Sequence, residues 1–131
     1  MVKVVLDTNI LVSSLLSTGP PATIIDLIAE GKIKPFYSDP ILCEYWDVLS
    51  RGKFNFKPLQ VTRLINNITR SGMPVDYLLF SKKKMADEND RIFYDAAIEA
   101  KAYLITGNLR HFPPDSFIVS PSQFLTILFN G

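Results

Sequence analysis

The chain has 131 residues, 47% hydrophobic and 21% charged, with a net charge of +1. That is enough for one domain with its own core, over residues 1–131, and too little charge to attract nucleic acid except through local patches. One cysteine, Cys43, and one histidine, His111, exclude an internal disulfide, a cysteine zinc cluster and a multi-histidine zinc site. No secretory signal is seen, nor any apolar run near the roughly 20 residues of a membrane span. A cytoplasmic, reducing setting is therefore expected.

Val2 to Leu6 reads as a buried parallel strand, a short run of β-formers that stops at Asp7, Thr8 and Asn9. A helix begins near Ile10 and is broken by Thr18-Gly19-Pro20-Pro21. The next helix opens on proline, carries Ile24, Leu27 and Ile28 at helical spacing, and ends with Gly31 as its cap. Ile33 to Tyr37 is a second strand. Ser38-Asp39-Pro40 starts another helix, with a capping side chain and then proline at the first position. Its apolar face is Ile41, Tyr45, Val48 and Leu49, and Glu44 shares that face.

Arg51 to Lys57 is a basic and aromatic loop, and Pro58 opens a helix with Val61, Leu64, Ile65 and Ile68 on one face. Pro74 to Phe80 reads equally as loop or short strand, and Lys82 to Lys84 as a solvated run. The acidic cluster Asp87-Glu88-Asn89-Asp90 begins a helix carrying Phe93, Ala96, Ala97 and Ala100, with Asp90 leaning to its buried side. Ala102 to Thr106 is a strand that ends at Gly107-Asn108 much as the first ends at Asp7. After a turn at Phe112-Pro113-Pro114, Phe117 to Val119 is a last strand and Ser120-Pro121 caps a final helix. Strands alternating with helices imply an α/β fold, a parallel sheet covered on both faces.

Asp7 and Asn108 at strand ends, and Glu44 and Asp90 on helices, each offer an oxygen toward a crevice. Three carboxylates and an amide do not sit together uncompensated, and a hard divalent cation such as magnesium or manganese is the simplest remedy. Such an ion activates water and holds a phosphoryl oxygen, as a phosphodiesterase needs. Each residue also has an ordinary reading. Asp7 is a possible helix N-cap, Asp87 and Asp90 are favourable charges at a helix start, Glu44 turns outward if the helix phase slips by one, and Asn108 tolerates a left-handed turn.

Val4-Val5-Leu6-Asp7-Thr8-Asn9-Ile10-Leu11-Val12 resembles the opening of PIN domains. The stretches Ser38 to Leu49, Asp87 to Ala97 and Tyr103 to Asn108 resemble their later motifs, in order and at matching spacing. The resemblance spans residues 2 to about 120. It implies a three-layer α/β/α sandwich with a central parallel sheet and magnesium- or manganese-dependent cleavage of single-stranded RNA. It also implies a frequent role as the toxin of a toxin–antitoxin pair. Asp7, Glu44 and Asp90 match the three acidic positions, and Thr8, Asn9 and Thr106 match small polar residues near them. Asp87 substitutes for Asp90 if the helix start is misplaced. The fourth position, commonly aspartate, is here Asn108, which implies weaker metal binding and leaves the second ion open.

Arg91 and Arg110 lie beside the acids in sequence and are candidates to hold a scissile phosphate. Arg51, Lys53 and Lys57, interleaved with Phe54 and Phe56, either grip RNA or tuck the loop onto the core. His111 is read as structural or as a surface residue, not as a general base. Phe124 to Phe129 holds more large apolar residues than one helix face needs, which with the resemblance predicts a homodimer and a protein partner, an antitoxin. The competing readings are a non-catalytic PIN-like module that binds RNA or protein, favoured by Asn108, and another fold with an acid at a strand end. Of the latter, a haloacid-dehalogenase-like phosphatase wants a second aspartate near Asp7. A phosphoacceptor receiver wants an acidic pair and a late lysine. None of these is found.

Overall fold

A computed structural model of the chain describes residues 1–76 and 84–130. Five strands, β1 (Lys3–Leu6), β2 (Lys34–Tyr37), β3 (Met73–Pro74), β4 (Tyr103–Ile105) and β5 (Ile118–Val119), form one sheet in the order β3-β2-β1-β4-β5. Every pairing is parallel, with Val5 opposite Leu104, Lys3 opposite Lys34, Phe36 opposite Met73 and Leu104 opposite Ile118. The helices α1 (Thr8–Leu16), α2 (Pro20–Ala29), α3 (Asp39–Leu49), α4 (Pro58–Ser71), α5 (Arg91–Ala100) and α6 (Pro121–Asn130) flank it. The expected α/β/α architecture is present. Among the described residues no single helix is long and apolar enough to cross a membrane.

The central strands follow from their residues. Val4, Val5 and Leu6 are buried, as a strand covered on both faces requires. Ser38 Oγ accepts the Ile41 N–H at 3.3 Å, so α3 starts where a capping serine places it, with Pro40 one position later than expected. Val61, Leu64, Ile65 and Ile68 all enter the core from α4. Gly31, just past α2, takes the left-handed φ of 73° that a C-terminal glycine supplies.

Three details differ from the sequence reading, and one strand residue needs a local explanation. The strand near Pro74 is Met73–Pro74, and residues 77–80 lie outside the described residues, as do residues 82 and 83 of the lysine run. Pro35 stands inside an internal strand, where proline is ordinarily excluded. Lys34 donates to Val2 O at 2.9 Å on the β1 side, so the missing N–H of Pro35 falls on the β3 side, where pairing begins only at Phe36. The acidic cluster forms a 3-10 turn, Glu88–Asp90, before α5 begins at Arg91. The end of α6 is not all surplus: Phe124 is fully buried and Leu125 and Leu128 pack against the core, leaving Ile127 and Phe129 exposed.

Candidate active site

The strand order reverses at β1, with β2 on one side and β4 on the other. In a parallel sheet such a switch point opens a crevice beyond the strand ends. Asp7 follows β1 directly and its N–H donates to Ile105 O at 3.0 Å, locking it beside the end of β4. It occupies the N-cap position of α1, yet its carboxylate makes no cap bond to that helix. Oδ2 instead accepts from Thr106 Oγ1 at 2.8 Å and from Asn9 Nδ2 at 3.2 Å. Asn9 Oδ1 accepts from Gly107 N at 3.0 Å, and Thr106 Oγ1 from Asn108 N at 3.0 Å. The loops after β1 and β4 are thus bound together around one carboxylate.

Two helices bring the other acids. On α3 the buried Tyr45 hydroxyl donates to Leu6 O at 2.6 Å, which ties the helix to the residue before Asp7. Glu44, adjacent to Tyr45, is half-buried. Asp90 ends the 3-10 turn before α5, its side chain 16% exposed. Burial raises the pKa of all three carboxyls, and the charge of Asp7 raises those of Asp90 and Glu44 further. Asp90 is pushed up to about 6, by burial first and then by Asp7, Asp87 and Glu44, with His111 opposing. Glu44 is raised by burial and Asp47, with Asp7 and Asp87 adding and Arg51 opposing. Asp7 is raised by burial against the hydrogen bonds from Thr106, Thr8 and Asn9 and the charge of His111.

Asp90 accordingly costs stability when ionised. Its folded pKa lies above the unfolded value, so its contribution is most favourable below about 4 and is lost as pH rises through about 6. Asp90→Asn is expected to stabilise the metal-free protein by about 1–2 kcal/mol at pH 7 and by little at pH 4, after discounting for residual exposure. Urea denaturation at both pH values measures this; a loss of stability at pH 7 would contradict it.

The remaining expected residues divide. Asp87 is exposed and accepts the Asn89 N–H at 3.0 Å, the ordinary capping role, though its charge reaches Asp90 and Glu44. Arg91 is corrected: its guanidinium is buried and bonded to Glu88 through Nε at 2.7 Å and Nη2 at 2.8 Å, so it is not presented to a phosphate. Arg110 is exposed beside His111. Arg51 is exposed and paired with Asp47 at 3.0 Å, on the side of Glu44. Lys53 lies over the Phe54 ring, and Phe54 and Phe56 stack on each other with centroids 5.3 Å apart. Phe56 packs against the core, so the loop is tucked inward.

Asn108 does not turn its amide nitrogen to Asp7: Nδ2 meets His111 Nε2 at 2.9 Å, and His111 Nδ1 stands 3.4 Å from Asp90 Oδ2. His111 is exposed, as a surface residue was expected to be, and it stands beside Asp90. Asp95 is buried on α5.

The family model described as PIN domain matches residues 3–110. The chain belongs to the PIN-domain family. The sequence is 34% identical over 111 residues to the uncharacterized protein MJ1680 of Methanocaldococcus jannaschii, an alignment covering 82% of this chain and 71% of that protein. No solved structure matches the chain. PIN domains are generally nucleases, and they typically use divalent metal ions.

The donors of this PIN domain suit such an ion. All three acids offer hard oxygens, which magnesium and manganese prefer. Asp90 Oδ2 and Thr8 Oγ1 are buried without a hydrogen-bond partner among the described residues. No three acidic, histidine or cysteine side chains among the described residues are grouped closely enough to hold an ion alone.

Proposed function

We propose that this PIN domain is a magnesium- or manganese-dependent ribonuclease that hydrolyses phosphodiester bonds of single-stranded RNA. The observation that carries the reading is that Asp7, Glu44 and Asp90 lie at the β1–β4 strand ends within electrostatic reach, each with its pKa raised. Carboxyls whose pKa is raised by burial and by one another are candidates for a functional site. An ion held by Asp7 and Asp90, with Glu44 beside them, would lower the pKa of water and bear the charge of a phosphoryl oxygen. Thr106 and Asn9 both bind Asp7 Oδ2, which fixes the rotation of that carboxylate. With Arg91 committed to Glu88, Arg110 and Arg51 are the cations proposed to meet the RNA backbone.

Purified protein incubated with single-stranded RNA tests this. Cleavage is expected with magnesium or manganese and is expected to stop with excess chelator; cleavage that persists in chelator would overturn the mechanism. A second reading, a PIN-like module that binds RNA or protein with a degenerate metal site, is favoured by Asn108 and by the lack of three grouped ligands among the described residues. RNA binding without manganese binding or cleavage would select it.

We further propose that the chain is the toxin of a toxin–antitoxin pair and forms a homodimer. In support, Ile98, Ile127 and Phe129 are exposed, and Ile98 and Ile127 line an open cleft of about 690 Å³ with Tyr103 and Phe117. Light scattering is expected to give twice the chain mass at micromolar concentration; a monomer that co-purifies with no partner would count against both.

A further inference from the structure

The reach of His111 toward Asp90 has no counterpart in the sequence reading, and its geometry constrains where the ring proton sits. An amide NH₂ only donates, so in this arrangement, with Asn108 Nδ2 at 2.9 Å, the Nε2 of His111 accepts. The proton of the neutral ring then lies on Nδ1, the nitrogen 3.4 Å from Asp90 Oδ2. That oxygen is buried with no hydrogen-bond partner among the described residues, so the 3.4 Å contact with Nδ1 is not itself a hydrogen bond. The backbone holds both residues in place: His111 N donates to Asn108 O at 3.1 Å, closing the 3-10 turn Leu109–His111.

A polar chain therefore joins the two acids across the crevice. Asp7 Oδ2 accepts from Thr106 Oγ1 at 2.8 Å, Thr106 Oγ1 accepts from Asn108 N at 3.0 Å, and the Asn108 side chain reaches His111 at 2.9 Å. His111 completes it at Asp90. An amide at position 108 suits this chain where an acid does not. A carboxylate would draw the ring proton to Nε2 and leave the bare lone pair of Nδ1 against Asp90 Oδ2.

We propose that Asn108 and His111 are a positioning pair for Asp90, the amide holding the imidazole in its Nδ1–H form so that this N–H orients the carboxylate. The inference rests on the reading of Asp90 as a metal-binding acid. In it Asn108 is not the remnant of a lost ligand; it sets the tautomer of the residue that aligns Asp90.

The single histidine makes the test unambiguous. In metal-free protein at about pH 8, above the ordinary histidine range, ¹⁵N NMR is expected to show the Nδ1–H ring in wild type and the Nε2–H ring in Asn108→Asp. Manganese titration calorimetry is expected to show affinity about tenfold weaker in His111→Gln, whose amide reaches only the Nε2 position. His111→Asn, whose amide nitrogen takes the Nδ1 position, should recover to within about threefold of wild type. Circular dichroism confirms that each variant is folded. An Nε2–H ring in wild type, wild-type affinity in His111→Gln, or nitrogen coupling from a directly bound imidazole in the manganese spin-resonance spectrum would each overturn the proposal. Wild-type protein that binds no manganese would overturn the metal reading instead, while the ring tautomer still decides whether the pair exists.

Discussion

Replacing Asp7 by asparagine is expected to lower RNA cleavage by on the order of a hundredfold or more while leaving the fold intact. The substitution keeps the shape of the side chain, and its remaining oxygen can still accept from Thr106 and Asn9, which now hold Oδ2 at 2.8 and 3.2 Å. What it removes is the charge at the end of β1, the position around which both loops are bound. The folded pKa of Asp7 is raised, chiefly by burial, so ionising it costs stability as pH rises through its titration range. The asparagine variant carries no such cost, and at neutral pH it should melt no lower than wild type. Gel-based RNA cleavage and thermal melts followed by circular dichroism, done together, separate the two effects. Undiminished cleavage would remove Asp7 from the mechanism. A lost fold would mean that its charge is structural.

The largest stability effect is expected at Gly72, at the opposite end of the argument from chemistry. Its backbone angles, φ −109° and ψ −168°, suit any residue, so conformational freedom is not the reason for glycine there. Space is. A Cβ at Gly72 would overlap the carbonyl oxygen of Pro35 and stand 2.8 Å from that of Ile68 and 2.9 Å from Pro35 Cγ. Two of the three neighbours are backbone atoms, one in β2 and one in the last turns of α4, and neither yields without moving its element. Gly72→Ala is expected to destabilise by about 3–4 kcal/mol, a drop in Tm of roughly 10–15 °C for a domain of this size. Gly52→Ala, where a Cβ meets nothing within 4 Å, should stay within about 0.5 kcal/mol of wild type. Similar melts for the two variants would show that β2 and α4 part more easily than their packing implies.

Most of the elements, and the candidate acids, could be read from the chain alone. The Val4-Val5-Leu6 run, the Ser38 cap and the spacing of Val61, Leu64, Ile65 and Ile68 act over a few residues, and the physics of propensity and burial is local at that range. Glu44 and Asp90 were legible because each departs from the polar face its neighbours define. Only the tertiary structure decided what lies against what. The strand order places β4 beside β1, so Thr106 meets Asp7 across 99 residues of chain, and no periodicity encodes such a pairing. Arg91 looked free for a phosphate in sequence, but the 3-10 turn before α5 bends Glu88 back onto its guanidinium. His111 looked incidental because a lone histidine has no spacing to read. Its place between Asn108 and Asp90 follows from the turn after β4 and the start of α5 meeting over the strand ends, a juxtaposition set by packing rather than by neighbouring residues.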